Sequence, residues 1–230
     1  MAGSHPIPTH TPLAALPAVA LDLETTGLDV KQDRVVQAAA IAVLGSQILE
    51  APRIDQIVDP GIPIPDVSSR IHGLADADVA GAPRFGAFAA TLSGMLAGRV
   101  VIGHHIAFDL AILRSEAERA GVEWSEPPAL DVAMLVGALS PSLPDLGLET
   151  VAKHLGVAVK GRHSAFGDAL AAAEIFVRLI PLLRERNIRT LSEAQTFAAR
   201  REDLLRYIDW AEYQWRLRRD LYLRYRDYLG

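Results

Sequence analysis

The chain is predicted to have an α/β fold, built on one mixed five-stranded sheet that is flanked by helices. Three strand-like runs follow one another directly, and beyond Asp66 strand-like runs alternate with helical ones. Strands joined by short turns pair as an antiparallel meander, whereas strands joined through a helix are typical of parallel pairing. We therefore expect a meander and parallel strands within the same sheet.

The meander is predicted from three apolar runs near the N-terminus. They cover residues 18–24, 34–44 and 48–58, and a tight turn at Gly45-Ser46 joins the last two. The first run is short, continuous and apolar, which is typical of a buried strand. Prolines between residues 60 and 65 then end the meander, because proline cannot donate to a strand ladder.

The later elements are predicted from a change to helical spacing. In residues 84–97 the large apolar side chains recur on one side of a helix. The remaining predicted elements are a strand at 99–103, a helix at 108–120, a short strand at 129–131, a helix that ends near Ser140, and helices at 147–155 and 166–186.

The chain divides into three predicted regions. Residues 1–17 are rich in proline and lack the charged start and apolar run of a signal peptide, so we expect a flexible N-terminal tail. Residues 18–186 form the predicted main folded domain. Residues 187–230 form a predicted C-terminal helical extension, because apolar and aromatic side chains between 204 and 229 keep near-heptad spacing.

Composition excludes several kinds of site. The chain has no cysteine, which excludes disulfides, thiolate metal sites and cysteine nucleophiles and suits a cytoplasmic location. Its most apolar stretch, 166–183, carries three charged residues, so no membrane span is predicted. The net charge of −5 disfavours a protein that coats duplex DNA. A nucleic-acid substrate would instead be held locally at an end, with metal ions supplying positive charge.

Two carboxylates end the first predicted strand. Asp22 and Glu24 are two residues apart, a spacing that puts both side chains on one face of a strand. Unit charges about 4 Å apart repel by about 4 kcal/mol at an effective dielectric near 20. A hard divalent metal ion with oxygen ligands is the natural compensation. Alternatively, Asp22 ends the strand and Glu24 opens a polar turn, without any chemistry.

Two further acidic positions follow predicted loops. Asp109 falls in the first turn of a predicted helix, and Asp168 opens another helix five residues after His163. An acid in a first helical turn is often only a partner of the helix dipole. The loop before Asp168, however, allows His163 and Asp168 to face one point.

Taken together, these segments resemble the three exonuclease motifs of the DEDD superfamily. The motifs read DLETTGL at 22–28, GHHIAFD at 103–109 and HSAFGDA at 163–169. The histidine five residues before the last aspartate marks the DEDDh, or DnaQ-like, branch. The resemblance extends over residues 18–186.

The resemblance implies a ribonuclease-H-like fold and a 3′–5′ exonuclease that releases 5′-mononucleotides from a nucleic-acid 3′ end. The implied ligands of two Mg²⁺ or Mn²⁺ ions are Asp22, Glu24, Asp109 and Asp168. His163 would be the general base that takes a proton from the attacking water. All five residues are the implied catalytic set.

The resemblance also implies contacts with the terminal nucleotide. The expected substrate-binding residues are Thr25, Thr26, Gly27, Leu28, His104, His105 and Phe108. Phe108 and Leu28 could equally serve as core residues. His105 stands where many members of the family have asparagine, so its effect on rate or substrate choice is open.

Two alternatives to a single-strand DNA exonuclease remain. The first is an exoribonuclease that trims RNA, because the active-site residues do not distinguish ribose from deoxyribose. The second is a binding or scaffold module that acts through the C-terminal extension. Residues 200–230 contain eight arginines against six acids, which favours packing, a homodimer or a protein partner over a nucleic-acid arm.

Overall fold

The computed structural model describes residues 7–199. Five strands form one sheet in the order β3-β2-β1-β4-β5. They are β1 (Pro17–Thr25), β2 (Val35–Leu44), β3 (Gln47–Ile57), β4 (Val100–Gly103) and β5 (Ala129–Asp131). β1, β2 and β3 pair antiparallel, whereas β4 runs parallel to β1 and β5 parallel to β4. The predicted mixed five-stranded sheet is confirmed.

Eight α-helices are described between residues 7 and 199, in addition to a 3-10 helix at Leu13–Ala15. They are α1 (Asp66–His72), α2 (Asp76–Val79), α3 (Phe85–Leu96), α4 (Ile106–Ala120), α5 (Val132–Leu139), α6 (Leu148–His154), α7 (Ala165–Glu185) and α8 (Leu191–Ala198). None of these described helices is both long and apolar enough to cross a membrane. The helix predicted from residues 204–229 lies outside the described residues.

Helices cover both faces of the sheet and create two apolar layers. Alternation along β1 sends Ala18 and Ala20 into the layer formed with α5, α6, α7 and α8, and Val19 and Leu21 into the layer with α3 and α4. β2 alternates in the same way. Three alanines of β1 and β2 (Ala18, Ala20 and Ala39) face the layer that contains α7, and these small side chains let that helix lie close to the sheet.

β1 extends further than its parallel neighbour. Its pairing with β4 covers only Ala18 to Ala20, whereas its pairing with β2 continues to Thr25. The last residues of β1 therefore have no strand on the β4 side. At that position the chain turns from β4 into α4, which leaves room for side chains from the helix to reach the backbone of β1.

The prediction of a flexible N-terminal tail is wrong for residues 7–17. Leu13 and Leu16 are buried in the core, and the chain enters β1 at Pro17. The Leu13 N–H donates to the Arg189 carbonyl oxygen at 2.7 Å, and the Leu191 N–H donates to the Thr11 carbonyl oxygen at 3.0 Å. The prolines that suggested a tail suit an extended segment just as well, and two leucines between them supply the apolar contact.

The expected boundary at residue 186 is not a break in packing. Leu191, Ala194 and Phe197 of α8 are buried in the same apolar layer as α7. Thr190 caps α8, since its hydroxyl accepts from the Glu193 N–H and the Glu193 carboxylate accepts from the Thr190 N–H. Residues 187–199 thus complete the folded domain.

Truncation of Leu16 tests the packed N-terminal segment. Leu16→Ala is expected to lower the free energy of unfolding by about 2–5 kcal/mol, because it opens a cavity in the core. Leu44→Ala is the matched control, since Leu44 is 46% exposed and its loss should change stability by about 0.5 kcal/mol or less. Urea unfolding of the full chain measures the free energy of unfolding of both variants. Equal losses in Leu16→Ala and Leu44→Ala would contradict the packing of the N-terminal segment into the core.

Candidate active site

The first two acids lie at the end of β1. Asp22 and Glu24 are half-buried and alternate with the buried Leu21 and Leu23. They therefore share the face of β1 on which Ala20 packs towards α7. The predicted same-face arrangement of the two carboxylates follows from this alternation.

The third acid comes from the first turn of α7. Asp168 is buried there, and the Ser164 hydroxyl caps the helix by accepting from the Gly167 N–H at 3.1 Å. A Cβ at Gly167 would overlap the Gly161 carbonyl, so only glycine lets the preceding loop lie this close to the helix. One ligand oxygen each from Asp22, Glu24 and Asp168 lie within 4.8 Å of one another.

The fourth acid reaches the same strand end from the first turn of α4. Asp109 is 5% exposed, and its Oδ1 accepts a hydrogen bond of 2.9 Å from the Leu23 N–H. That amide lies between the two acids of β1, on the edge that β4 leaves uncovered. The three separate segments therefore bring all four predicted acidic residues to one place.

Burial and mutual repulsion disfavour the ionised forms of these acids. The pKa of Asp22 is raised well above its ordinary value by burial, and further by Asp109, Asp168 and Glu24. Burial also raises the pKa of Asp109 and of Asp168. Ionisation of all four acids would therefore create more negative charge than the surrounding protein compensates.

The donor set fits a hard divalent cation. Asp168 Oδ1 is buried and has no hydrogen-bond partner among residues 7–199, while Oδ2 accepts from the Arg162 guanidinium. Carboxylate oxygens gathered within a few ångströms are typical ligands of Mg²⁺ and Mn²⁺. Arg162 was not among the predicted site residues, although its position directly before His163 is a visible sequence signal of a basic group near the site.

His163 lies in the loop that precedes α7. Its backbone has a left-handed conformation with φ 63°, and its N–H is close enough to the Asp168 carboxylate to lower that pKa. The side chain is half-buried. This position is next to the acidic cluster, and the role of His163 as a general base stays a prediction.

The two threonines after Glu24 are held within their own turn. The Thr25 hydroxyl donates to the Gly27 carbonyl oxygen at 2.6 Å, and the Thr26 hydroxyl donates to Asp33 Oδ1 at 2.8 Å. A Cβ at Gly27 would overlap the Asp33 carboxylate. The structure therefore gives these residues a role in shaping the turn, while their contacts with substrate stay predictions.

Leu28 and Phe108 are both half-buried. Phe108 packs against the apolar layer of α3 and α4, so core packing explains part of its side chain. The remaining exposed part of each residue is available at the surface beside the site. Their predicted contacts with a nucleotide stay predictions.

His104 and His105 form a stacked pair between β4 and α4. Their ring centroids are 4.0 Å apart with an angle of 19° between the ring planes. Burial lowers the pKa of His104 to about 4, so the ring is neutral at pH 7. Its Nε2 lies 2.7 Å from the Leu146 carbonyl oxygen and must carry the proton. His104 is therefore an anchor of the turn, and His105 occupies its left-handed position at φ 59°.

Asp131 also positions this turn and was missed as such in the sequence. It is the last residue of β5, lies opposite Gly103 of β4, and caps α5 by accepting from the Ala133 N–H at 2.9 Å. Burial raises its pKa to about 6, while the backbone N–H groups around it, including those of His105 and Ile106, oppose that rise. Asp131 thus ties the start of α4, which carries Asp109, to the end of the sheet.

The raised pKa values predict that the acidic cluster destabilises the metal-free protein at neutral pH. A carboxyl group whose pKa is higher in the folded state loses stability as pH rises from its unfolded pKa, near 3.9, towards its folded value. Asp22→Asn should therefore raise the melting temperature in EDTA by a few degrees at pH 7.5, and by much less at pH 4. Thermal unfolding at the two pH values measures the effect.

Glu50→Gln is the control for this measurement, because Glu50 is an exposed acid on β3. It should leave the melting temperature nearly unchanged at both pH values. A lower melting temperature for Asp22→Asn at pH 7.5 without metal would contradict the electrostatic argument.

Comparisons with known proteins agree with this geometry. The exonuclease family profile matches residues 19–176. A DNA polymerase III subunit epsilon-like protein of Rhodobacter capsulatus is 32% identical over 200 residues, covering 86% of this chain and 28% of that protein. The DNA polymerase III subunit epsilon of Aquifex aeolicus is 28% identical, covering 70% of this chain and 79% of its own length.

The fold has a solved counterpart. E. coli exonuclease I, in complex with a dT13 oligonucleotide, superimposes with a TM-score of 0.65 at 20% identity, over 75% of this chain and 42% of that one. This likeness confirms the ribonuclease-H-like fold.

The chain spans less than a third of the length of the Rhodobacter relative. Since the family profile covers more than half of the chain and includes all three motifs, this protein belongs to the exonuclease family, in its DEDDh branch.

Proposed function

We propose that the protein is a metal-dependent 3′–5′ exonuclease that removes 5′-mononucleotides from single-stranded DNA. The observation that carries the proposal is the convergence of Asp22, Glu24 and Asp168 within 4.8 Å, with Asp109 bonded to the backbone between the first two. Acidic residues that serve only the fold are rarely gathered at one point away from water, because the repulsion between their carboxylates weakens the fold.

Two Mg²⁺ or Mn²⁺ ions would be held by the four acids. When bound, they supply the positive charge that activates a water molecule and stabilises the scissile phosphate and the departing 3′ oxygen. The raised pKa values support this assignment, because a dication would restore ionisation of carboxyl groups that burial disfavours. Asp168 Oδ1, which has no hydrogen-bond partner within the described part of the chain, offers a ligand atom.

His163 would act as the general base. A neutral imidazole ring nitrogen can accept the proton of the attacking water, and the ordinary histidine pKa near 6.5 leaves the ring mostly neutral at pH 7. Its place in the loop beside Asp168 supports this role, since the ring starts from a backbone position next to the acids.

The terminal nucleotide would lie against the turn formed by Thr25, Thr26, Gly27 and Leu28. That turn is fixed by internal hydrogen bonds, so a nucleotide would meet a preformed surface. Leu28 and Phe108 would pack against the base or sugar, and such stacking tolerates any base. His105, supported by its stack on His104, would reach the substrate from the α4 side.

Digestion of 5′-labelled single-stranded DNA in Mg²⁺ or Mn²⁺ tests the proposal. We expect a ladder that shortens from the 3′ end, is abolished by EDTA, and is slowed by several orders of magnitude in Asp22→Ala. Glu50→Gln, a change at an exposed acid, should retain the wild-type rate. A folded protein that cleaves nothing under any metal would contradict the proposal and favour the binding or scaffold alternative.

The same assay decides between the two kinds of nucleic acid. DNA is favoured because exonuclease I of E. coli is seen with DNA oligonucleotides. An RNA of matched sequence should be degraded more slowly. Faster cleavage of the RNA would establish the exoribonuclease alternative instead.

Replacement of His163 tests the general base. His163→Ala should lower the rate by about 10²–10⁴-fold while oligonucleotide binding is retained. The wild-type rate should rise with pH through the pKa of this histidine, whereas the residual rate of the variant should lack that rise. His154→Ala, at an exposed histidine on α6, is the control. Full activity in His163→Ala, or a wild-type rate that is flat between about pH 5 and 8, would remove His163 from this role.

We propose the location and the partners of the protein from its sequence and its relatives. The absence of cysteine supports a cytoplasmic location. Residues 200–230, outside the described part of the chain, would pair with a second copy or bind another protein. The epsilon-like relatives support a polymerase as such a partner.

A further inference from the structure

A guanidinium reaches the acidic cluster from the loop before α7. Arg162 donates through Nη1 to Asp168 Oδ2, and its Nε lies 4.0 Å from Glu149 Oε1 at the start of α6. The Asp168 side chain is 7% exposed and that of Arg162 is 30% exposed. A partly accessible cation is thus held on a nearly inaccessible carboxylate.

Arg162 acts electrostatically on more than its direct partner. It opposes the rise in the pKa of Asp168 and also that of Asp22 on β1, although burial outweighs it at both residues. It therefore supplies to the metal-free cluster part of the positive charge that a divalent ion would supply. A guanidinium and a divalent metal ion that lie near the same carboxylate repel each other.

We propose that Arg162 is an internal counter-cation of the acidic cluster, and that its guanidinium competes with a divalent metal ion for Asp168. The inference rests on the proposed function, because it takes the cluster to be a metal site. A bound ion would displace the guanidinium from Oδ2, and Arg162 would in turn lower the affinity for the first ion that binds.

The loop allows this exchange without movement of the backbone. Gly161 and Gly167 approach each other closely, and Ser164 caps α7, so the main chain on either side of Arg162 is held in place. The arginine side chain has several rotatable bonds and access to solvent. Glu149, which is 77% exposed, is an acceptor within reach of the released guanidinium. Displacement therefore requires only a change of side-chain rotamer.

Manganese binding to the full chain tests the competition. Free Mn²⁺ is counted by electron paramagnetic resonance during titration of the wild type, Arg162→Gln and Arg162→Lys. We expect Arg162→Gln to bind Mn²⁺ about tenfold more tightly or better, because a nearby positive charge is lost. Arg162→Lys should stay closer to the wild type, since it keeps the charge. Arg114→Gln, which breaks an exposed pair with Glu126, should have no effect.

A second measurement follows the metal-free protein by thermal unfolding. In EDTA, Arg162→Gln should unfold cooperatively at a lower temperature than the wild type, because the cluster loses a counter-charge. Saturating Mg²⁺ should then raise its melting temperature by more than it raises that of the wild type. If Arg162 had a purely structural role, Arg162→Gln would lower the melting temperature equally in EDTA and in Mg²⁺, and the metal affinity would be unchanged.

The outcomes separate this inference from the proposed function. Equal or weaker Mn²⁺ binding by a folded Arg162→Gln, compared with a wild type that binds, would overturn the competition and leave the exonuclease proposal standing. No binding by either protein would overturn the proposed metal site and the competition with it. Tighter Mn²⁺ binding by Arg162→Gln than by the wild type, with no change in Arg114→Gln, supports the inference.

Discussion

The removal of neighbouring carboxylates from water at the end of β1, together with their mutual repulsion, is the constraint on which the rest of the structure depends. Two local features place the four acids: strand alternation places Asp22 and Glu24, and first helical turns place Asp109 and Asp168. Partial compensation comes from the Leu23 N–H and from Arg162. The protein thus retains an electrostatic imbalance that a cation can relieve, which is a usual property of metal-dependent active sites.

The remainder of the fold explains how such an arrangement persists. Small side chains at Ala18 and Ala20 precede the acids on the face of β1 that α7 covers, and this allows the first turn of that helix to reach the strand end. β1 also continues beyond β4, so Asp109 can take the backbone amide that a neighbouring strand would otherwise use. The site is therefore built where regular sheet pairing stops, and rigid elements hold its parts.

Sequence alone predicted the elements whose signals are local. Apolar alternation and the succession of strand-like and helical runs are short-range patterns, so the mixed five-stranded sheet could be predicted from them. The four acids were identified through the resemblance of three short motifs to a known family, because an acid in a first helical turn is by itself ambiguous. The parts that could not be inferred depend on chain segments distant in sequence. Arg162 matters because its side chain meets Asp168, and Asp131 matters because β5 pairs with β4 opposite Gly103. The N-terminal segment was mistaken for a tail because prolines signal extended chain, and packing decides whether such a chain is bound.

The bridge between Pro12 and Thr190 has a consequence for how this domain can be used. It places the first packed segment of the domain beside the start of α8, so the two ends of the packed domain are separated by little more than the length of that helix, roughly 12 Å. A domain with adjacent ends can be inserted within a longer protein with little disturbance of either partner. The packed ends therefore suit this domain to insertion within a longer chain.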